Sequence, residues 1–116
     1  LTHEKDGRDE FINYKLYVDN ILWAVKEGKK RKFDMKLIMS TLDSSIIYLY
    51  FCYQKYYKED YAKDLFIWLK PLMLFYNKHK KYIIEDVTIN NYVNMQRNFN
   101  IIPYISFYQF LESVNN

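Results

Sequence analysis

A chain of 116 residues with net charge +3, half of it hydrophobic and 20% aromatic, has the composition of one globular domain able to bury a substantial core. Two glycines and two prolines exclude collagen-like repeats and low-complexity disorder, and are too few to turn an all-β sandwich or barrel. A lone cysteine, Cys52, excludes a disulfide-stapled secreted scaffold, and the small net charge lies far from the strongly basic balance of dedicated nucleic-acid binders.

Residues 1–7 are polar and are expected to fray, leaving 8–116 as a single helical domain. From Arg8 the apolar positions Phe11, Tyr14, Val18, Ile21, Leu22 and Val25 follow the three-four spacing of one helical face. Asp9 and Glu10 sit where the positive end of the helix dipole favours them, and Gly28 is placed to end the helix as a left-handed cap. Lys29, Lys30, Arg31 and Lys32 form a basic connector. A second helix starts near Asp34, which can cap it, and turns Met35, Ile38, Met39 and Leu42 inward.

Asp43 and Ser44 either cap a fresh helix or are run through. The next segment reaches about Lys58 and is apolar nearly all round, as a central helix is. Its β-branched and aromatic content suits a strand, but its length and lack of turn residues favour helix. Glu59 and Asp60 open a further helix through Tyr61, Leu65, Phe66, Trp68 and Leu69. Pro71 must kink it or begin a new one. Residues 82–87 are the one segment where a short strand is credible. A polar helix over 88–97, a loop at 98–100 and a last helix with Pro103 in its first turn, ending near Ser113, complete the chain. The reading is an all-α compact bundle of five or six helices with Ile47, Phe51, Leu65, Trp68 and Leu72 in its core.

Catalytic and metal chemistry finds few candidates. The two histidines are His3, in the tail, and His79, among Lys78, Lys80 and Lys81, whose charges disfavour its protonation and repel a metal cation. Zinc needs a spaced set of Cys and His ligands that this chain lacks. Cys52 lies among Tyr50, Phe51 and Tyr53 and reads as a small buried hydrophobe, not as an activated nucleophile. The carboxylates Glu59, Asp60 and Asp64, or Glu85 and Asp86, are explained by helix starts as well as by acid/base work. Gly7 and Gly28 alone cannot build a phosphate-cradling loop. The expectation is a non-enzymatic protein with no cofactor and no metal.

Two surface features remain. Lys26, Lys29, Lys30, Arg31, Lys32 and Lys36 form one basic cluster and Lys78, Lys80 and Lys81 another. They could neutralise phosphates, although lysines at helix ends are also routine solubilising groups. The second feature is the surplus of aromatics, with 13 tyrosines, 8 phenylalanines and 2 tryptophans. Some must reach the surface, where Tyr, Trp and Met are enriched in protein interfaces. Tyr56, Tyr57, Tyr104 and Tyr108, beside polar neighbours, are the candidate partner-binding residues. The longest uncharged apolar run, Ile46 to Tyr53, is too short to cross a bilayer, so no membrane insertion is expected. An intracellular, soluble setting (cytoplasmic or nuclear) is expected, though the chain begins at Leu1 and a targeting signal could precede it. The Ile-, Asn-, Lys- and Tyr-heavy usage points to an AT-rich genome, such as that of a parasite, a low-GC bacterium or a large DNA virus.

Residues 43–74, through Leu49, Tyr50, Tyr53, Ala62, Phe66 and Leu69, loosely resemble a tetratricopeptide hairpin. Tyr50 stands where that family has a small residue, and no second repeat follows at its period. Tyr17, Val18, Ile21, Leu22 and Trp23, followed by residues 37–42, faintly resemble the early helices of poxviral Bcl-2-like proteins. Both resemblances imply an interaction module. The functional expectation is therefore an adaptor, regulatory or host-modulating domain that recognises another protein, or a second copy of itself, through an aromatic-rich helical surface. The alternative is nucleic-acid binding through Lys29, Lys30, Arg31, Lys32 and Lys36.

Overall fold

A computed structural model describes residues 7–116; residues 1–6, with His3 and most of the expected tail, lie outside the described residues. Five α-helices follow in order: α1 (Gly7–Lys30), α2 (Met35–Gln54), α3 (Asp64–His79), α4 (Glu85–Phe99) and α5 (Phe107–Asn115). Single turns of 3-10 helix at Asp60–Lys63 and Lys80–Tyr82 lead into and out of α3. The described residues contain no strand, and Gly7 belongs to α1.

α2 is the central helix, in contact with all four others. It buries Ile38, Met39, Leu42, Ile46, Ile47, Leu49, Tyr50 and Phe51 over most of its circumference, leaving one stripe through Leu37, Thr41, Ser44 and Tyr48 open or half-buried. α1 lays Phe11, Tyr14, Val18 and Val25 inward, α3 adds Leu65, Leu69, Leu72 and Met73, and α5 adds Phe110 and Val114. Ile47, Phe51, Leu65 and Leu72 are fully buried, as the sequence suggested. Trp68 is not. It is half-buried at the core's edge, its ring 5.3 Å from that of Phe11.

Several boundaries differ from the sequence reading, each for a local reason. Gly28 lies inside α1 and no glycine has a positive φ. The helix ends at Lys32, at φ 60°. Phe33 N–H reaches the Gly28 carbonyl at 2.9 Å and Lys32 N–H the Lys29 carbonyl at 3.1 Å, which together make a Schellman cap. Gly28 packs closely there: a Cβ would sit a tight 3.2 Å from Ile38 Cδ1, which would have to shift by a few tenths of an ångström, and in ordinary contact with Phe33 Cδ2 at 3.5 Å. α2 begins where Asp34 accepts from Lys36 N–H at 3.0 Å, runs through Asp43 and Ser44 unbroken, and stops at Gln54, short of Lys58.

Pro71 lies inside α3 and starts no new helix. It is exposed, as is Ile67, whose carbonyl lost its partner, so water can satisfy that acceptor. Residues 82–87 form no strand: only Ile83 and Ile84 lie outside a helix or 3-10 turn, and Glu85 and Asp86 take the first turn of α4. α4 ends later than expected, on left-handed Asn100, whose N–H bonds the Gln96 carbonyl at 2.9 Å. Pro103 lies ahead of α5, which opens instead on a capping box: Gln109 N–H donates to Ser106 Oγ at 3.1 Å and Ser106 N–H to Gln109 Oε1 at 2.9 Å.

Polar groups on α2 fix its neighbours. Buried Asp43 accepts from Thr88 Oγ1 of α4 at 2.7 Å and from the Tyr76 hydroxyl of α3 at 3.4 Å. Ser44 accepts from Asn91 Nδ2 at 2.8 Å. Gln54 Oε1 accepts from Tyr104 N–H at 2.6 Å, and the Tyr50 hydroxyl donates to the Ile105 carbonyl. Tyr50 thus occupies its tetratricopeptide-like position to hold the 104–105 segment.

Two outcomes follow from these contacts. A lysine in the left-handed region pays a steric cost that glycine does not, so Lys32→Gly should raise unfolding free energy by about 0.5–1 kcal/mol in guanidinium titrations. Burial lifts the Asp43 pKa above its ordinary 3.8, against the two hydrogen bonds that favour the charged form. The folded state then holds that proton more tightly than the unfolded chain, so ionisation of Asp43 subtracts from stability as pH rises from 3.8 toward neutrality. The unfolding free energy of the wild type minus that of Asp43→Asn should fall over that rise. A flat difference would mean that Asp43 titrates as it does in the unfolded chain.

Candidate interaction surfaces

The groups weighed for catalysis lie apart: Cys52 in the core, His79 at the end of α3, and the carboxylates at helix starts. Cys52 is buried, and that burial raises its thiol pKa although the Tyr14 and Tyr48 hydroxyls and Lys55 favour the thiolate. Tyr48 is itself pushed up to about 12, chiefly by burial. His79 packs its ring 4.5 Å from Phe75, and Nε2 is buried without a hydrogen-bond partner. Desolvation, then Lys29, Lys78 and Lys81, lower its pKa, so it is neutral at pH 7. Glu59, Asp60 and Asp64 are exposed around the 3-10 turn ahead of α3, and Glu85 and Asp86 in the first turn of α4. Among the described residues, no group of three or more His, Cys, Asp or Glu could hold a metal ion.

The four candidate tyrosines divide into two places. Tyr56 is half-buried in a ring cluster against α1, with Phe11 at 5.4 Å, Tyr14 at 6.1 Å and Tyr61 at 6.3 Å. Its hydroxyl is pushed up to about 12, chiefly by burial and then by Glu10. Tyr57 stacks on exposed Tyr104, centroids 3.9 Å apart and planes 11° from parallel. Gln54 sets that pair by holding the Tyr104 amide. Tyr108 is exposed on α5.

The two basic clusters, far apart in sequence, meet at one end of the bundle, where α1 and α3 finish. Lys29 Nζ lies 5.8 Å from the Phe75 ring centroid, and Lys29, Lys78 and Lys81 all act on His79. Lys30, Lys32 and Lys36 are exposed, whereas Arg31 is partly neutralised by Glu27 at 3.3 Å. Two helix C-termini favour cations here whatever their partner.

A furrow between α1 and α2 was not picked out in the sequence. Ile21, Ala24, Val25, Gly28, Phe33, Leu37, Ile38 and Thr41 line about 210 Å³ of apolar concavity. Phe33 is 56% and Leu37 63% exposed on its rim. Past Thr41 the depression continues between Tyr17, Ser44, Tyr48 and Met95. The signal for it was small residues, Ala24 and Gly28, one helical turn apart on α1, opposite Phe33 of the α1–α2 connector and Leu37, which lies off the inward face of α2. Exposed Lys30 and Lys32 lie on the chain between the furrow's lining residues Gly28 and Phe33, whereas Lys29 Nζ sits over the Phe75 ring of α3 and Lys36 borders a separate depression with Tyr82, Ile83 and Thr88.

No protein-family model, curated protein or solved structure matches the chain. Among the described residues, no helix is long and apolar enough to cross a membrane. The Cys52 thiol should react with a disulfide reagent at least about tenfold more slowly in the native protein at pH 8 than in denaturant; equal rates would place it at the surface.

Proposed function

We propose that this chain is a non-enzymatic recognition module, of the adaptor, regulatory or host-modulating kind, which takes an acidic amphipathic segment of another protein into the α1–α2 furrow. The observation that carries the reading is a furrow with apolar walls and exposed apolar rim residues. An apolar floor rewards apolar side chains at helical or extended spacing, while exposed Lys30 and Lys32, on the chain between Gly28 and Phe33, favour acidic flanks and speed encounter. The stacked Tyr57–Tyr104 pair and Tyr108 offer a secondary aromatic contact. A buried, unpaired Cys52 agrees with a reducing intracellular setting.

Nucleic-acid binding is the second reading, favoured by the convergence of Lys29 with Lys78 and Lys81 around His79. The net charge of +3 weakens it.

Selection from a displayed library of 15-residue peptides separates the two. Binders should pair acidic residues with apolar ones at helical spacing. Leu37→Glu should weaken them about 30-fold, the loss of one buried hot-spot contact of about 2 kcal/mol. Replacing Lys29, Lys30, Arg31 and Lys32 by alanine should slow association and flatten its salt dependence. Binders indifferent to Leu37→Glu would sink the furrow reading. Tight, steeply salt-dependent binding of DNA or RNA, lost on the lysine substitutions, would promote the second.

A further inference from the structure

α4 touches α2 through Thr88, Asn91, Tyr92 and Phe99, yet none of its residues is fully buried. One flank of the helix carries a ridge at four-residue spacing: Glu85, Ile89, Val93 and Arg97, all exposed. Ile89 is 52% and Val93 42% open to water, and Ile102, which shares a concavity with Val93 and Arg97, is 93% open. Among the described residues, neither Glu85 nor Arg97 has an ion-pair partner.

The order of this ridge is acid, apolar, apolar, base. It is its own complement when reversed. We infer that α4 is a self-association site, at which two copies of this chain pair their α4 helices antiparallel about a two-fold axis that passes midway between Ile89 and Val93 on that flank. That register sets Ile89 against Val93 of the second copy, and Glu85 against its Arg97, twice over by symmetry. Packing the four-spaced ridges of both helices side by side crosses the axes at about 50°, the commonest class of helix contact in globular proteins. A heterologous partner would have no reason to place the opposite charges six residues either side of the same centre. The contact is confined to one helix and the nearby Ile102, so it belongs with the small, weak interfaces.

Sedimentation equilibrium from about 10 µM to 1 mM tests the pairing, with the molecular mass expected to rise from 14.4 kDa toward twice that value. Glu85→Arg and Arg97→Glu each create like-charge contacts across the two-fold and should stay monomeric. Mixed in equal amounts, the two variants regain both ion pairs and should form a mixed dimer. Ile89→Ser, which adds no charge, should also release the monomer, and circular dichroism checks that each variant remains helical. A wild type that stays monomeric at 1 mM, charge variants that dimerise unimpaired, or a mixture that stays monomeric while the wild type dimerises would each overturn the proposal.

Discussion

The architecture depends on a helix with little face it can give to water. From Ile38 to Gln54, α2 presents large apolar groups in every direction but the stripe through Thr41, Ser44 and Tyr48, and each Leu, Ile or Phe left exposed would forfeit about 1.5–3 kcal/mol of burial. It must therefore be surrounded. α1, α3 and α5 each need only one apolar side to do this, and their three-four patterning supplies it. That division, one helix apolar over most of its surface and amphipathic ones about it, produces a bundle from a chain with hardly any turn residues.

Apolar burial is not directional, so it cannot by itself decide which turn of α3 or α4 faces which turn of α2. The polar groups on α2 do so. Asp43 receives hydroxyls from α3 and α4 together, Ser44 receives the Asn91 amide, and Gln54 and Tyr50 hold opposite sides of the backbone at 104–105. Each is a pairing that a shift of one residue would break, leaving a buried polar group unsatisfied at a cost of about 1–3 kcal/mol. Asp43 bears the larger cost, desolvation of a carboxylate, at the point where three helices meet.

The helices were legible because period and dipole agree with packing along α1 and the centre of α2. Boundaries were less so. Gly28 looked like a cap because glycine usually is one, but here the missing side chain lets Ile38 pack closely while Lys32 accepts the strained backbone. Pro71 left a kink and a fresh start open as alternatives; that it starts no helix turns on its exposed position, which makes the lost hydrogen bond harmless and is a tertiary fact. Pro103 drew attention from Ser106 and Gln109, whose reciprocal spacing was the better helix-start signal. The candidate surfaces were least legible of all. The convergence of Lys29 with Lys81, or of Tyr57 with Tyr104, depends on pairs about fifty residues apart, which no local pattern records.

α4 is fastened unlike the others, by three polar contacts and the half-buried rings of Tyr92 and Phe99. Its release would uncover the Tyr50 and Phe51 rings that Tyr92 and Phe99 cover, yet leave the contacts of α2 with α1, α3 and α5 in place. Hydrogen exchange in this protein should therefore be stratified, α4 amides exchanging by a shallow sub-global opening and those of central α2 only when the whole molecule unfolds. The chain joins a rigid, water-excluded spine to a peripheral helix whose attachment can be traded without dissolving the core.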